Sequence, residues 1–299
     1  MNAAASPPSW LEVTEKGNAL AIRVMLMLCQ FLGRRVARLM LHPVVAYFMA
    51  VSPSARRTSR EYLTRMGLPH GMGAVYRHCM RFARCTLDRV FWAAGRTSLF
   101  EVTRRGGEHL AAVRQSGRGA LLFGAHLGSF ESMRAMASVN ALPLNIVGYF
   151  KNARLITAVI ERLNPRLAMR VIPVEPGIDF VLRLKERIEA GEIVALLADR
   201  VGLGDRTVEV DFLGGKILLP AGPYMLAAML RCPVYLTFGL SLGTNRYDLY
   251  CEPFADQITL ARQARQADAQ AYAQRFAQRL EHYCRLAPDN WFNFHQVWR

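Results

Sequence analysis

Residues 119–131 read GALLFGAHLGSFE. The run Gly119–Gly124 is short, apolar and bounded by glycines, which suits a buried strand better than an amphipathic helix. His126 follows at once, and a helix-like segment, Ser129–Val139, opens after Gly128. A titratable side chain caught between strand and helix stands where open α/β sheets place reactive groups, at a strand's carboxyl end.

Outward from this stretch the same alternation continues. Apolar runs Leu144–Phe150, Arg170–Val174, Ile193–Ala198 and Val234–Leu242 read as further strands, and Tyr247–Phe254 as a late one. Between them, Glu108–Gln115, Arg154–Leu163, Ile178–Glu189 and Gly222–Leu230 carry helical spacing, with Gly117, Gly191 and Pro233 as stop signals. Strands alternating with helices give an α/β fold, a central sheet flanked by helices. A long periodic segment, Leu260–Leu286, keeps its apolar residues on one side and its Arg and Gln on the other, so it packs on the sheet. Upstream, Thr58–Met66 and Met72–Ala94 read as helices.

His126 and Glu131 are five residues apart. On one continuous helix they would be rotated by about 140° and could not meet. A turn at Leu127–Gly128 removes the obstacle, since glycine reaches backbone angles closed to other residues. Glu131 could then hold one imidazole nitrogen while the other takes a proton from a hydroxyl, a two-member relay needing no protein nucleophile. The bland alternative is a histidine at a strand end with an unrelated surface glutamate. Asp199 and Arg200 end the run Ile193–Ala198 and would emerge at the same sheet edge if the strands are parallel neighbours; otherwise they form a strand-terminal ion pair.

The chain has 299 residues, 52% hydrophobic and 20% charged, which excludes a disordered chain. With 38 Lys+Arg against 23 Asp+Glu the formal charge is +15, so its partners should be anionic. Its arginines are dispersed, and it lacks zinc knuckles, a basic tail and an aromatic-basic sheet motif, which argues against nucleic acid. Six cysteines, with no Cys-x-x-Cys pair and no Cys/His zinc spacing, fit reduced buried thiols and no metal site. Ser129 lies inside the His126 motif rather than on a sharp turn of its own, which argues against a serine hydrolase.

Residues 19–51 are strongly apolar, but Arg34, Arg35 and Arg38 divide them into two runs, Val24–Gly33 and Leu39–Val51. Each run is shorter than the ~20 apolar residues of a spanning helix. An interfacial or re-entrant helical pair would bury the apolar faces while the arginines, extended by Arg56, Arg57 and Arg60, reach lipid phosphates. The competing reading is a core helix pair of a soluble domain. Pro43 is expected to kink or restart the second run.

His, four residues, then Glu at a strand end resembles the signature of the glycerolipid acyltransferase superfamily. More closely, the chain resembles the bacterial late lipid A acyltransferases, the lauroyl and myristoyl transferases of inner membranes, and the related members found with aryl polyene pathways. The resemblance rests on GALLFGAHLGSFE, NARLITAVIERLNP (152–165), LLADRVGLGDRTVEVDFLGGKILLPAGPYMLA (196–227), NRYDLYCEPF (245–254) and LAPDNWFNFHQVW (286–298), in that order.

The resemblance implies a glycerolipid-acyltransferase-like mixed central sheet and a membrane-associated O-acyltransferase of lipid A biosynthesis. Its acyl donor would be acyl carrier protein or acyl-CoA, its acceptor a lipid or glycolipid hydroxyl, and it would need no cofactor. It would sit on the cytoplasmic face of the cell inner membrane, peripheral or monotopic. It also implies His126 and Glu131 as catalytic residues, with Asp199, Arg200, Arg154, Lys151 and Lys216 binding substrate. Where the lipid A enzymes carry Tyr-Arg, this chain has Tyr149-Phe150-Lys151. The segment Phe212–Lys216 followed by Leu219–Pro223 resembles the family's substrate-wall loop leading into a helix. The expected organisation is a tail over 1–18, an anchor over 19–57 and a catalytic domain over 58–299. A noncatalytic membrane-peripheral scaffold on the same fold is the alternative. The aromatics of WFNFHQVW are expected to pack under the catalytic domain, with His295 outside the site.

Overall fold

A computed structural model describes residues 33–139, 142–148, 170–175, 177–202 and 206–299. The described residues open on three helices: α1 (Gly33–Val51), α2 (Pro53–Arg65) and α3 (Met72–Ala93). The sheet follows, with β1 (Glu101–Arg105), α4 (Gly107–Ser116), β2 (Ala120–Gly124), α5 (Phe130–Val139), β3 (Leu144–Gly148), β4 (Val171–Pro173), α6 (Ile178–Glu189) and β5 (Ile193–Leu197). Then come β6 (Thr207–Phe212), β7 (Gly215–Pro220), α7 (Gly222–Leu230), β8 (Val234–Ser241), β9 (Arg246–Ala255) and α8 (Arg265–Leu286). The helix expected over Arg154–Leu163 lies outside the described residues.

Seven strands form one sheet in the order β1-β9-β8-β2-β5-β3-β4. Every neighbour pair is parallel except β8–β9, so the sheet is mixed, as expected. β2 lies at its centre and is buried along its whole length, which is why Ala120–Gly124 reads as an unbroken apolar run. Leu121, Phe123, Val194 and Leu196 join the main core on one face. Leu122, Ile193 and Ala195 face a smaller cluster on the other, with Phe130 of α5 against it.

Two features were not expected. β1 is polar and mostly exposed, an edge strand with no hydrophobic alternation, and only its parallel pairing with β9 reveals it. The second is the segment around Phe212–Lys216, which is a β6–β7 antiparallel hairpin. It turns at Leu213 (φ 49°) and Gly214 (φ 69°), the left-handed pair of a tight two-residue turn. Val208, Val210 and Phe212 face inward. Gln266, Gln270 and Gln274, one turn apart on α8, donate to the carbonyls of Thr207, Glu209 and Asp211 and cover the hairpin's edge.

The inner face of α1, namely Ala37, Leu41, Val45 and Met49, belongs to the main core. Its outer face is also apolar yet uncovered, with Leu39 66% and Tyr47 68% exposed. α1 runs unbroken through Pro43, and the chain bends instead by 97° between α1 and α2, where Ser52 precedes Pro53. Among the described residues no single helix is long and apolar enough to cross a membrane, although this bent pair passes together by length and composition. Cys79, Cys85, Cys232, Cys251 and Cys284 are buried free thiols.

Candidate active site

The register of β2 against β5 builds the site. Gly124 pairs with Leu197, and Ala198 N–H donates to the Gly124 carbonyl at 2.9 Å, so the second residue beyond that pair on each strand sets His126 opposite Asp199. His126 Nδ1 lies 2.8 Å from Asp199 Oδ1, and the His126 backbone N–H donates to Oδ2 at 2.9 Å. An ionised carboxylate only accepts, so Nδ1 carries the proton and Nε2 keeps its lone pair. Among the described residues Nε2 makes no hydrogen bond, and the side chain is 30% exposed, enough to meet a substrate.

Burial and the nearby Arg200 guanidinium push the imidazole below its ordinary pKa, against the opposing pull of Asp199. Burial alone would raise the Asp199 carboxyl, but His126 and Arg200 outweigh it and draw it down to about 2. At neutral pH the pair is therefore a neutral imidazole beside a carboxylate.

This arrangement corrects the expected relay. Glu131 does not hold the imidazole: its Oε1 accepts from Arg89 Nη2 at 3.1 Å, and Oε2 lies 3.6 Å from Arg134 Nη1. The turn at Gly128 does occur (φ 70°), but it serves a backbone crossing. A Cβ there would lie 2.0 Å from the Gly239 carbonyl oxygen. Ser129 N–H donates to that same oxygen, and Gly128 N–H to the Asn290 carbonyl. Glu131 then falls in the first turn of α5, facing arginines rather than His126.

Arg200 stands beside Asp199 as expected, with Nε donating to Asn293 Oδ1 at 2.8 Å and Nη2 to the Phe292 carbonyl at 3.0 Å. Lys216 is not brought to the site. Its exposed ammonium meets Asp211 at 2.9 Å across the hairpin and Glu209 at 3.9 Å. Lys151 and Arg154 lie outside the described residues.

The C-terminal segment, a strap expected only to pack under the domain, also completes the site. Trp291, Phe292 and Trp298 are buried, and Phe292 N–H donates to the His126 carbonyl at 2.8 Å. Asn293 Nδ2 reaches Asp199 Oδ2 at 3.3 Å. His295 lies close enough to feel the charges of Arg200, Asp199 and His126, and burial followed by Arg200 lowers its pKa to about 4. The strap is held from behind by His78, whose Nε2 donates to the Trp291 carbonyl at 2.9 Å while Nδ1 accepts from Ser59 at 2.8 Å. Two asparagines among the aromatics, Asn290 and Asn293, were the legible signal, because buried amides need partners.

The model of the bacterial lipid A biosynthesis acyltransferase family matches residues 76–299. The chain belongs to that family. It is therefore an acyltransferase, and an acyl donor and a lipid acceptor are implied. The matched span starts within α3 and takes in every strand of the described residues, the His126–Asp199 pair and the strap; α1 and α2 precede it. No curated relative matches the chain.

Proposed function

We propose that this lipid A acyltransferase family member moves an acyl chain from a thioester, carried by acyl carrier protein or coenzyme A, to a hydroxyl of a lipid or glycolipid, with His126 as general base. The observation that carries the reading is the His126–Asp199 pair at the carboxyl ends of adjacent parallel strands, its Nε2 open. Nε2 takes the hydroxyl proton as the oxygen attacks the thioester carbonyl, and Asp199 steadies the imidazolium. The tetrahedral oxyanion collapses, the carbon–sulfur bond breaks, and the imidazolium returns its proton to the departing thiolate. Arg200, fixed by Asn293 and Phe292, supplies positive potential to the oxyanion.

Glu131 acts one step back, tethering Arg134 and Arg89, the latter near enough for its charge to reach the base. The formal +15 suits an acidic carrier protein and an anionic cytoplasmic leaflet, and both attractions weaken with salt over a screening length of about 8–10 Å. The uncovered apolar face of α1 supports peripheral or monotopic attachment to the inner membrane.

The test is transfer of labelled acyl groups from both donors into inner-membrane lipid. Wild type should label a lipid whose mass names the acceptor, lipid A or another glycolipid, and the chain, saturated or aryl polyene. Hydrolysis of the thioester without any acylated lipid contradicts transfer.

A further inference from the structure

Apart from the His126 pair, α1 joins the body through a buried ion network. Asp88 of α3, fully buried, accepts two hydrogen bonds from Arg34 at 2.7 Å each, one from Arg38 Nη2 at 3.1 Å and one from the Tyr247 hydroxyl at 2.7 Å. Arg34 also donates to the Thr244 carbonyl and lies over the Phe100 ring, so it is fixed on every side. Among the described residues Arg38 is held by one nitrogen only, and its buried Nε has no partner. Arg35 is exposed and makes no ion pair among the described residues.

These three arginines, with Leu99, Thr244 and Asn245, line a groove of about 460 Å³. One carboxylate, Asp88, is shared by Arg34 and Arg38, and the Glu101 carboxylate is hydrogen-bonded to Asn245. Three guanidiniums in its lining make the groove cationic. Directly beside it runs the outer face of α1, where Val36, Leu39, Met40, Val44, Tyr47 and Val51 form one exposed apolar stripe. The stripe spans about 22 Å at the helical rise. A cationic cleft at one end of an apolar ridge matches a molecule with an anionic head and an apolar tail, and guanidinium forks fit phosphate oxygens.

We infer that this groove receives the phosphate headgroup of an anionic membrane lipid, held by Arg35 and Arg38, while the α1 stripe lies in the acyl region of the leaflet. The inference rests on the membrane-peripheral reading but not on the chemistry at His126. Arg34 and Asp88 form the frame, and Arg35 is the contact that can be changed without touching it.

Sedimentation of the full chain with vesicles tests this, comparing phosphatidylcholine alone with phosphatidylcholine plus phosphatidylglycerol. Wild type should partition at least about tenfold more strongly into the anionic vesicles, and each basic contact near such a surface is worth about fivefold. Arg35→Gln should therefore lose about fivefold and Arg35→Glu about 30-fold on anionic vesicles only. Leu39→Gln with Tyr47→Gln should weaken binding to both compositions. Unchanged melting temperatures show that the variants fold. His126→Ala should bind vesicles as wild type does, which separates this result from the fate of the acyl-transfer reading. Equal partitioning into both compositions, or Arg35→Glu binding like wild type, overturns the inference. Release by millimolar glycerol phosphate also overturns it, because the groove would then serve a small soluble phosphate.

Discussion

At the scale of the residue, the chemistry turns on which carboxylate meets which imidazole nitrogen. Asp199 contributes both of its oxygens to His126, one to the ring and one to the backbone N–H, so it fixes the tautomer and the ring orientation together. Because burial and Arg200 lower the His126 pKa, the base is unprotonated at neutral pH. The acidic limb of the kcat/KM profile should therefore fall below pH ~6.5, the ordinary histidine value. A limb at or above that value contradicts the depressed base. The sequence makes both carboxylates visible but not their assignment. Spacing brings Glu131 near His126 along the chain, whereas Asp199, 73 residues away, is placed by strand register, which no local pattern discloses.

At the scale of the element, the site depends on a crossing of three backbones: the turn after β2, the middle of β8 and the C-terminal strap. Gly128 lies at that crossing in a left-handed conformation, with no room for a Cβ. Gly128→Ala should cost more than the ~1–2 kcal/mol of the conformation itself, since the Gly239 carbonyl must also move. Denaturant unfolding measures this, and a loss under 1 kcal/mol would contradict the packing. The strap is pinned by neutral His78, whose burial lowers its pKa to about 4. Above pH ~6.5 the histidine is neutral in both states; below it the unfolded chain gains a proton that the native one refuses. Stability should thus decline from pH 6.5 toward 4 by up to about 3 kcal/mol, and His78→Gln should flatten that slope. Six strands and most helices were legible from apolar runs and glycine stops. β1 was not, because a polar, exposed edge strand carries no core signature; the hairpin does alternate, with Val208, Val210 and Phe212 inward, but the glycines at its turn and the proline at its end read as a loop leading into a helix.

At the scale of the whole molecule, the N-terminal helices are both core and surface. The expectation of an anchor and the expectation of a core helix pair each describe one side of α1: the inner side completes the main core, and the outer side is apolar and open. Composition could not separate the two, since a helix apolar all round fits either setting until its neighbours are known. Asp88 binds this layer to the sheet. Asp88→Ala would leave the Arg34 and Arg38 guanidiniums half-buried without a counter-charge, at a cost of about 3–5 kcal/mol. A melting temperature within a degree or two of wild type would show that α1 docks by its apolar face alone.

The most direct measurement of the His126–Asp199 assignment is acyl transfer by His126→Ala, Asp199→Asn and Glu131→Gln, each shown to be folded, from the donor that wild type uses. Loss of a general base removes about 10²–10⁴-fold of rate. His126→Ala and Asp199→Asn should both fall in that range, with Glu131→Gln retaining substantially more. Full activity in Asp199→Asn, or a Glu131→Gln variant as inactive as His126→Ala beside an active Asp199→Asn, would return the relay to Glu131 and contradict the pairing described here.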